Sequence, residues 1–156
     1  MGCQRGFTYL GLLFAVAMAG ILLAATGTLS STEQQREKEQ ELLFVGNQYR
    51  QAIRSYYENS PGTLKRYPPN LDELLKDNRY LGIKRHLRQL YPDPMSGSSE
   101  WGIVRGPGGG VMGVYSLSEQ SPFQTGGFQL RDAAFESKRK YAEWQFVYIP
   151  PVTNQK

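Results

Sequence analysis

Residues 7–32 carry no charged side chain, and the core of that run, 7–29, reads FTYLGLLFAVAMAGILLAATGTL. A helix needs about 20 mostly apolar residues to cross a bilayer core, so a transmembrane helix is expected over 7–29. Upstream, Arg5 is the sole charge, whereas downstream stand Glu33, Arg36, Glu37, Lys38, Glu39 and Glu41 with Gln between them. That flank is polar enough to stop at the interface. The positive-inside rule keeps the Arg5 end cytoplasmic and sends the rest of the chain outward. With 156 residues in all, the chain has room for one compact domain beyond the apolar run and not for a second core.

The next proline is Pro61, and Gly46 is the only glycine between Glu33 and Ser60. The helix is therefore expected to continue over 30–60. Leu42, Val45, Tyr49, Ala52, Ile53 and Tyr56 recur at spacings of three and four, which makes one apolar stripe suited to packing under a sheet. Residues 33–41 lack such a stripe and read as a solvated neck. Pro61-Gly62 then ends the helix.

In the stretch YPPNLDELLKD, residues 67–77, Asn70 can cap a short helix. Glu73 stands three residues later, and Leu71, Leu74 and Leu75 form its buried face. Another helical turn is expected at 85–90, and Tyr91-Pro92-Asp93-Pro94 makes a rigid extended turn. Residues 101–105 and 111–116 are short β-type runs joined by a glycine-rich loop, an antiparallel hairpin. WQFVYI, 144–149, is a third strand rich in aromatic and β-branched residues and stopped by Pro150-Pro151. Between them, 117–143 is irregular, and a loop of that length is functional or partly mobile. The expected fold class is α+β, with a long N-terminal membrane-spanning helix packed against a small antiparallel sheet.

Arg5-Gly6-Phe7-Thr8-Tyr9-Leu10, directly before the apolar run, resembles the processing site of type IV pilins and type II secretion pseudopilins. The stretches YPPNLDELL, LYPDPMSGSSEW and KYAEWQFVYIP are similar to pseudopilins of the major-subunit size class. The resemblance implies cleavage by a prepilin peptidase after Gly6, methylation of the new terminus at Phe7, and an assembly helix opening with Thr8, Leu10, Gly11, Leu12 and Leu13. Glycine suits a membrane-face protease, having no side chain to obstruct it and disfavouring helix across the scissile bond. The family usually carries a glutamate where this chain has Gly11. In pilins that carboxylate is thought to pair with a neighbour's N-terminus inside the fibre, and Gly11 cannot supply it, which leaves open a minor or tip-proximal position. The implied partners are other pseudopilins, the prepilin peptidase and an inner-membrane assembly platform. The implied organisation is a leader over 1–6, a transmembrane helix over 7–29, its extension over 30–60, a periplasmic head over 61–149 and a tail over 150–156. The small residues Gly11, Ala15, Ala19, Gly20, Ala24 and Gly27 permit close helix approach.

Catalytic chemistry is not legible. The single histidine, His86, sits in the basic patch Lys84-Arg85-His86-Leu87-Arg88 with no adjacent Cys or acid pair, and reads as a surface residue. The loop 106–110 lacks the lysine and serine of a phosphate loop. Asp72, Glu73 and Asp93 are accounted for by capping and turns. Cys3 stands alone and cannot form an intrachain disulfide. Glu119, Asp132, Glu136 and Glu143 make no dense cluster of the kind calcium needs. No enzyme activity, cofactor or metal is expected. The net charge of +4 rests on scattered patches with acids interspersed, so nucleic acid is not an expected partner, although a DNA-uptake pilin stays open. Also open is a signal peptide ending at Ala17-Met18-Ala19, which would release a secreted binding module.

Overall fold

The computed structural model describes residues 5–151, and within the helix the side chains of 5–8 and 20–31 fall outside the described set. Residues 1–4, including Cys3, and most of the expected tail lie outside it too. The fold is α+β, with an N-terminal helix and a three-stranded antiparallel sheet. Helix α1 is Arg5–Glu58, and the chain divides into two compact units, one ending at Glu37 and one beginning at Lys38. The expected span 7–29 falls partly on side chains outside the described set. Among the described residues, no helix is long and apolar enough to cross a membrane.

From Lys38 onward, α1 supplies one side of a core. Leu42, Val45, Tyr49, Ala52, Ile53 and Tyr56 are all 3% exposed or less, as the three-and-four spacing requires of a face turned inward. Each fully buried aliphatic in such a stripe stabilises the fold by about 1.5–3 kcal/mol. The facing residues are Trp101, Val111, Val114, Phe135, Tyr141, Trp144 and Phe146. Strand β1 (Gly102–Arg105) pairs antiparallel with β2 (Val111–Tyr115), which pairs antiparallel with β3 (Phe146–Val147). Gly113 lies opposite Val147, and a Cβ there would meet the Phe146 carbonyl at 2.6 Å. The central strand thus needs glycine for β3 to pair so closely.

Several expectations are corrected by the structure. Residues 33–41 are not wholly solvated. Glu39 is 3% exposed, and its carboxylate accepts the Gln124 N–H, 3.1 Å from Oε1, which fastens the long loop to α1. Residues 85–90 form no helix. There the N–H groups of His86 and Leu87 both donate to the Leu74 carbonyl, so the backbone serves the Asp72–Leu74 turn instead of a helix of its own. That turn is 3-10. Asn70 Oδ1 accepts the Glu73 N–H at 3.0 Å, but Glu73 turns its carboxylate to Asn78 and the reciprocal half of a capping box is not made. The third strand is shorter than 144–149, because Tyr141–Glu143 coils into a 3-10 turn whose carbonyl at Tyr141 takes the Trp144 N–H. The segment 117–143 contains a second 3-10 helix, Leu130–Phe135. It is tied back on itself where Tyr141 donates to Gln120 and Ala142 to Ser118.

Candidate functional site

In the N-terminal unit the helical backbone runs through Gly6 and Phe7, so the glycine does not interrupt it. One glycine costs only about 1 kcal/mol inside a helix, too little to end a run flanked by Phe7, Tyr9 and Leu10. The side chains of Phe7 and Thr8 lie outside the described residues. Leu10, Leu12 and Leu13 are 68%, 63% and 50% exposed, with Tyr9, Phe14, Val16 and Met18 similarly bare. At 3.6 residues per turn these positions cover about two-thirds of the helix circumference, and the small exposed residues Gly11, Ala15 and Ala19 fill the remainder. Gly11 leaves a notch of about 490 Å³ walled by Leu10, Leu13 and Phe14, and a Cβ at Gly11 would meet nothing within 4 Å.

The second unit holds a buried polar cluster that the sequence reading missed. Asp77 is 1% exposed. Its carboxylate accepts from Arg79 Nε at 2.8 Å and Nη2 at 2.7 Å, a bidentate pair. Arg79 also donates to Ser60 Oγ and to the Tyr56 carbonyl, and its guanidinium carbon lies 3.5 Å from the centroid of the Tyr56 ring. His86 is not on the surface: its side chain is 1% exposed, with Nε2 3.1 Å from Asp77 Oδ2 and Nδ1 2.8 Å from Ser55 Oγ. The Arg79 hydrogen bonds hold the Asp77 carboxyl well below the usual carboxylate range. The chain Ser55–His86–Asp77 has the residue types of a nucleophilic triad. Ser55 does not line the groove or hollow beside Tyr67, and the arrangement joins α1 to the loop after the 3-10 turn.

Two further clusters pin the loops. Tyr49 Oη donates to the Tyr91 carbonyl at 3.0 Å and accepts the Tyr91 N–H at 2.9 Å, while Trp101 Nε1 donates to the same carbonyl. Burial pushes the Tyr49 hydroxyl up to about 12. Asp93, fully buried, accepts from Met95 N–H, Ser96 Oγ and Ser116 Oγ. The expected turn role is thus met, and the turn is also fastened to the residue after β2. Arg50 Nη1 stands 2.8 Å from Asp132 Oδ1, yet both atoms are off hydrogen-bond direction.

A groove of about 820 Å³ opens between Tyr57, Lys65, Arg66 and Tyr67 on one side and Pro107, Gly108, Met112 and Ile149 on the other. Clefts of 300–1,000 Å³ are the usual size for ligand sites. No protein-family model, curated protein or solved structure matches the chain. Among the described residues no group of three or more His, Cys, Asp or Glu could hold a metal ion. The basic patches are occupied in different ways. Lys65 Nζ donates to the Glu58 and Ser60 carbonyls, Lys84 lies over the Tyr80 ring, and Lys140 pairs with Glu119.

Proposed function

We propose that the chain is a pilin-like structural subunit, most akin to type II secretion pseudopilins, held by its N-terminal helix in the bacterial inner membrane with the head in the periplasm. Assembly through that helix, with other pseudopilins and an inner-membrane platform, would support protein export. The observation that carries the reading is the exposure of Tyr9, Leu10, Leu12, Leu13, Phe14, Val16 and Met18, all between 49% and 68%. An apolar surface going round a helix needs lipid or other helices to cover it. Gly11 then has a natural use as the place where a neighbouring helix approaches closely. The second half of α1, buried beneath a small antiparallel sheet, agrees with a pilin-like plan.

The test is the mass and N-terminal sequence of the mature protein from bacterial membranes, with and without the prepilin peptidase. A methylated terminus at Phe7 that depends on the peptidase is expected. A terminus at Gly20 would mean a secreted module, and an uncut chain in peptidase-positive cells would mean a plain anchor. Either result ends the pilin-like reading.

A further inference from the structure

The groove beside Tyr67 is built before any ligand arrives. Tyr67 Oη donates to the Tyr148 carbonyl at 3.0 Å, and its ring packs on Tyr57 at 4.7 Å between centroids. The Pro68 carbonyl takes the Val111 N–H at 2.7 Å. On the opposite wall Arg105 Nη1 donates to the Gly109 carbonyl, and the Gly106 N–H to that of Gly110. Gly110 cannot be another residue without displacing the wall, because a Cβ there would lie 2.7 Å from Tyr67 Cβ and 2.9 Å from the Tyr67 carbonyl. Fixed walls lower the ordering cost of binding.

The side chains lining this groove carry charge of one sign, although Glu58, next to it, offsets part of the Lys65 field. Lys65 and Arg66 are its only ionisable residues apart from tyrosine, and no acid lines it. Lys65 uses its ammonium on two carbonyls, leaving one of three donors over. The Arg66 guanidinium makes no hydrogen bond or ion pair among the described residues; only its backbone is engaged, with Ser60 Oγ. Arg66 also lines an adjoining hollow of about 390 Å³ with Ser60, Gly62 and Thr63, again without an acid. An uncommitted planar fork of five donors suits a carboxylate. Pro69, Pro107 and Pro150 line the rest, and the Gly108 peptide, exposed at the rim, makes no hydrogen bond among the described residues.

The geometry points to this groove as the docking site for an extended acidic peptide segment of a protein partner, with a carboxylate on Arg66, apolar or proline side chains against Tyr67 and Ile149, and main-chain bonding at Gly108. Two cations are too few for a nucleic-acid backbone, which is gripped through many phosphates at once. Tyrosines and prolines beside exposed peptide groups are, by contrast, the furniture of extended-peptide recognition. The inference goes beyond the proposed assembly role and depends on neither the anchor nor processing at Gly6.

The experiment uses the full chain in detergent micelles and a fluorescein-labelled peptide of alternating Glu and Pro, read by anisotropy at low salt, with the Gln–Pro peptide as control. The Glu–Pro peptide should bind saturably, and the Gln–Pro peptide about tenfold more weakly or worse, the loss expected of one charge-assisted contact. Arg66→Glu should weaken the acidic peptide by at least about tenfold on the same reasoning. Arg88→Glu, an exposed cation outside the groove, should leave it unchanged. Methyl-labelled methionine spectra locate the site: Met112 should shift on titration, whereas Met95 in the core and Met18 on the exposed helix should not. Absence of saturable binding, equal losses from Arg66→Glu and Arg88→Glu, or a shift at Met18 in place of Met112 would each overturn the inference. Tighter, Arg66-dependent binding of an oligothymidylate would assign the groove to nucleic acid and overturn it as well.

Discussion

Tyr49 and Asp77 each place a titratable group where the fold depends on its protonation state. Tyr49 satisfies both peptide groups of Tyr91 from inside the core, so Tyr49→Phe should cost about 1–3 kcal/mol, the range for leaving buried polar groups unpaired. Because burial raises its hydroxyl to about 12, the folded state keeps a proton that the unfolded chain gives up near 10. The associated stability is complete below about pH 10 and is lost as pH rises toward about 12. Urea unfolding at stepped alkaline pH, followed by tryptophan fluorescence, should show this slope in the wild type and a shallower one in Tyr49→Phe. Asp77 behaves oppositely. Its carboxyl is depressed by the Arg79 hydrogen bonds, so its contribution is present above the ordinary carboxylate range and is lost as pH falls below it. Asp77→Asn should destabilise by about 3 kcal/mol, since Arg79 would lose its buried counter-ion and His86 its hydrogen-bond partner, and should flatten the acid limb. An unchanged acid limb in the variant would remove Asp77 from that role. Neither residue's part was legible in the sequence. Asp77 precedes its partner His86 by nine positions with no periodicity to connect them, and His86 among lysine and arginine looked solvated. Only the loop geometry, with two N–H groups on the Leu74 carbonyl, turns it inward.

The buried stripe of α1 was legible to the residue because helical spacing is a property of the chain alone. Strand positions were readable as a hairpin and a third apolar run, but strand length was not. Whether residues 144–145 pair or turn depends on the 3-10 coil over Tyr141–Glu143, which has no local signature. The contact between helix and sheet passes through glycines whose need is visible only in three dimensions. A Cβ on Gly46 would lie 2.5 Å from three atoms of the Phe146 ring, so α1 and β3 approach as closely as they do because that position is bare. Gly46→Ala, conservative for helix propensity and slightly favourable by it, should nevertheless cost about 1–3 kcal/mol by overpacking. Phe146→Leu in the same background should recover part of that loss, even though it destabilises when made alone. If Gly46→Ala instead stabilises the protein, the ring has room to move and the close approach is not a constraint. Gly113→Ala should be the more damaging change, because its obstacle is the Phe146 carbonyl and the Val147 backbone, which cannot rotate away.

At the scale of the whole molecule, the two compact units ending and beginning at Glu37 and Lys38 invite a separation of functions that mutation can test. The core of the second unit contains no residue before Leu42, and the exposed apolar residues at 9–18 contribute nothing to it. Substitutions in the first unit should therefore alter where the protein resides without altering how the head folds. Leu13→Lys with Val16→Lys puts two ammonium groups in the first half of the uncharged run, each costing up to about 2.5–3.5 kcal/mol for insertion, the value at a helix centre. The expected outcome is that the wild type stays in the membrane pellet after alkaline carbonate extraction, while the double variant moves largely to the supernatant. The heads of both should resist limited proteolysis equally and show the same blue-shifted emission from Trp101 and Trp144. Release with an intact head would assign the apolar helix to anchoring and assembly alone. Loss of head structure on release would mean that the two units are energetically coupled, and retention of the variant in the pellet would show that something other than this helix holds the protein there.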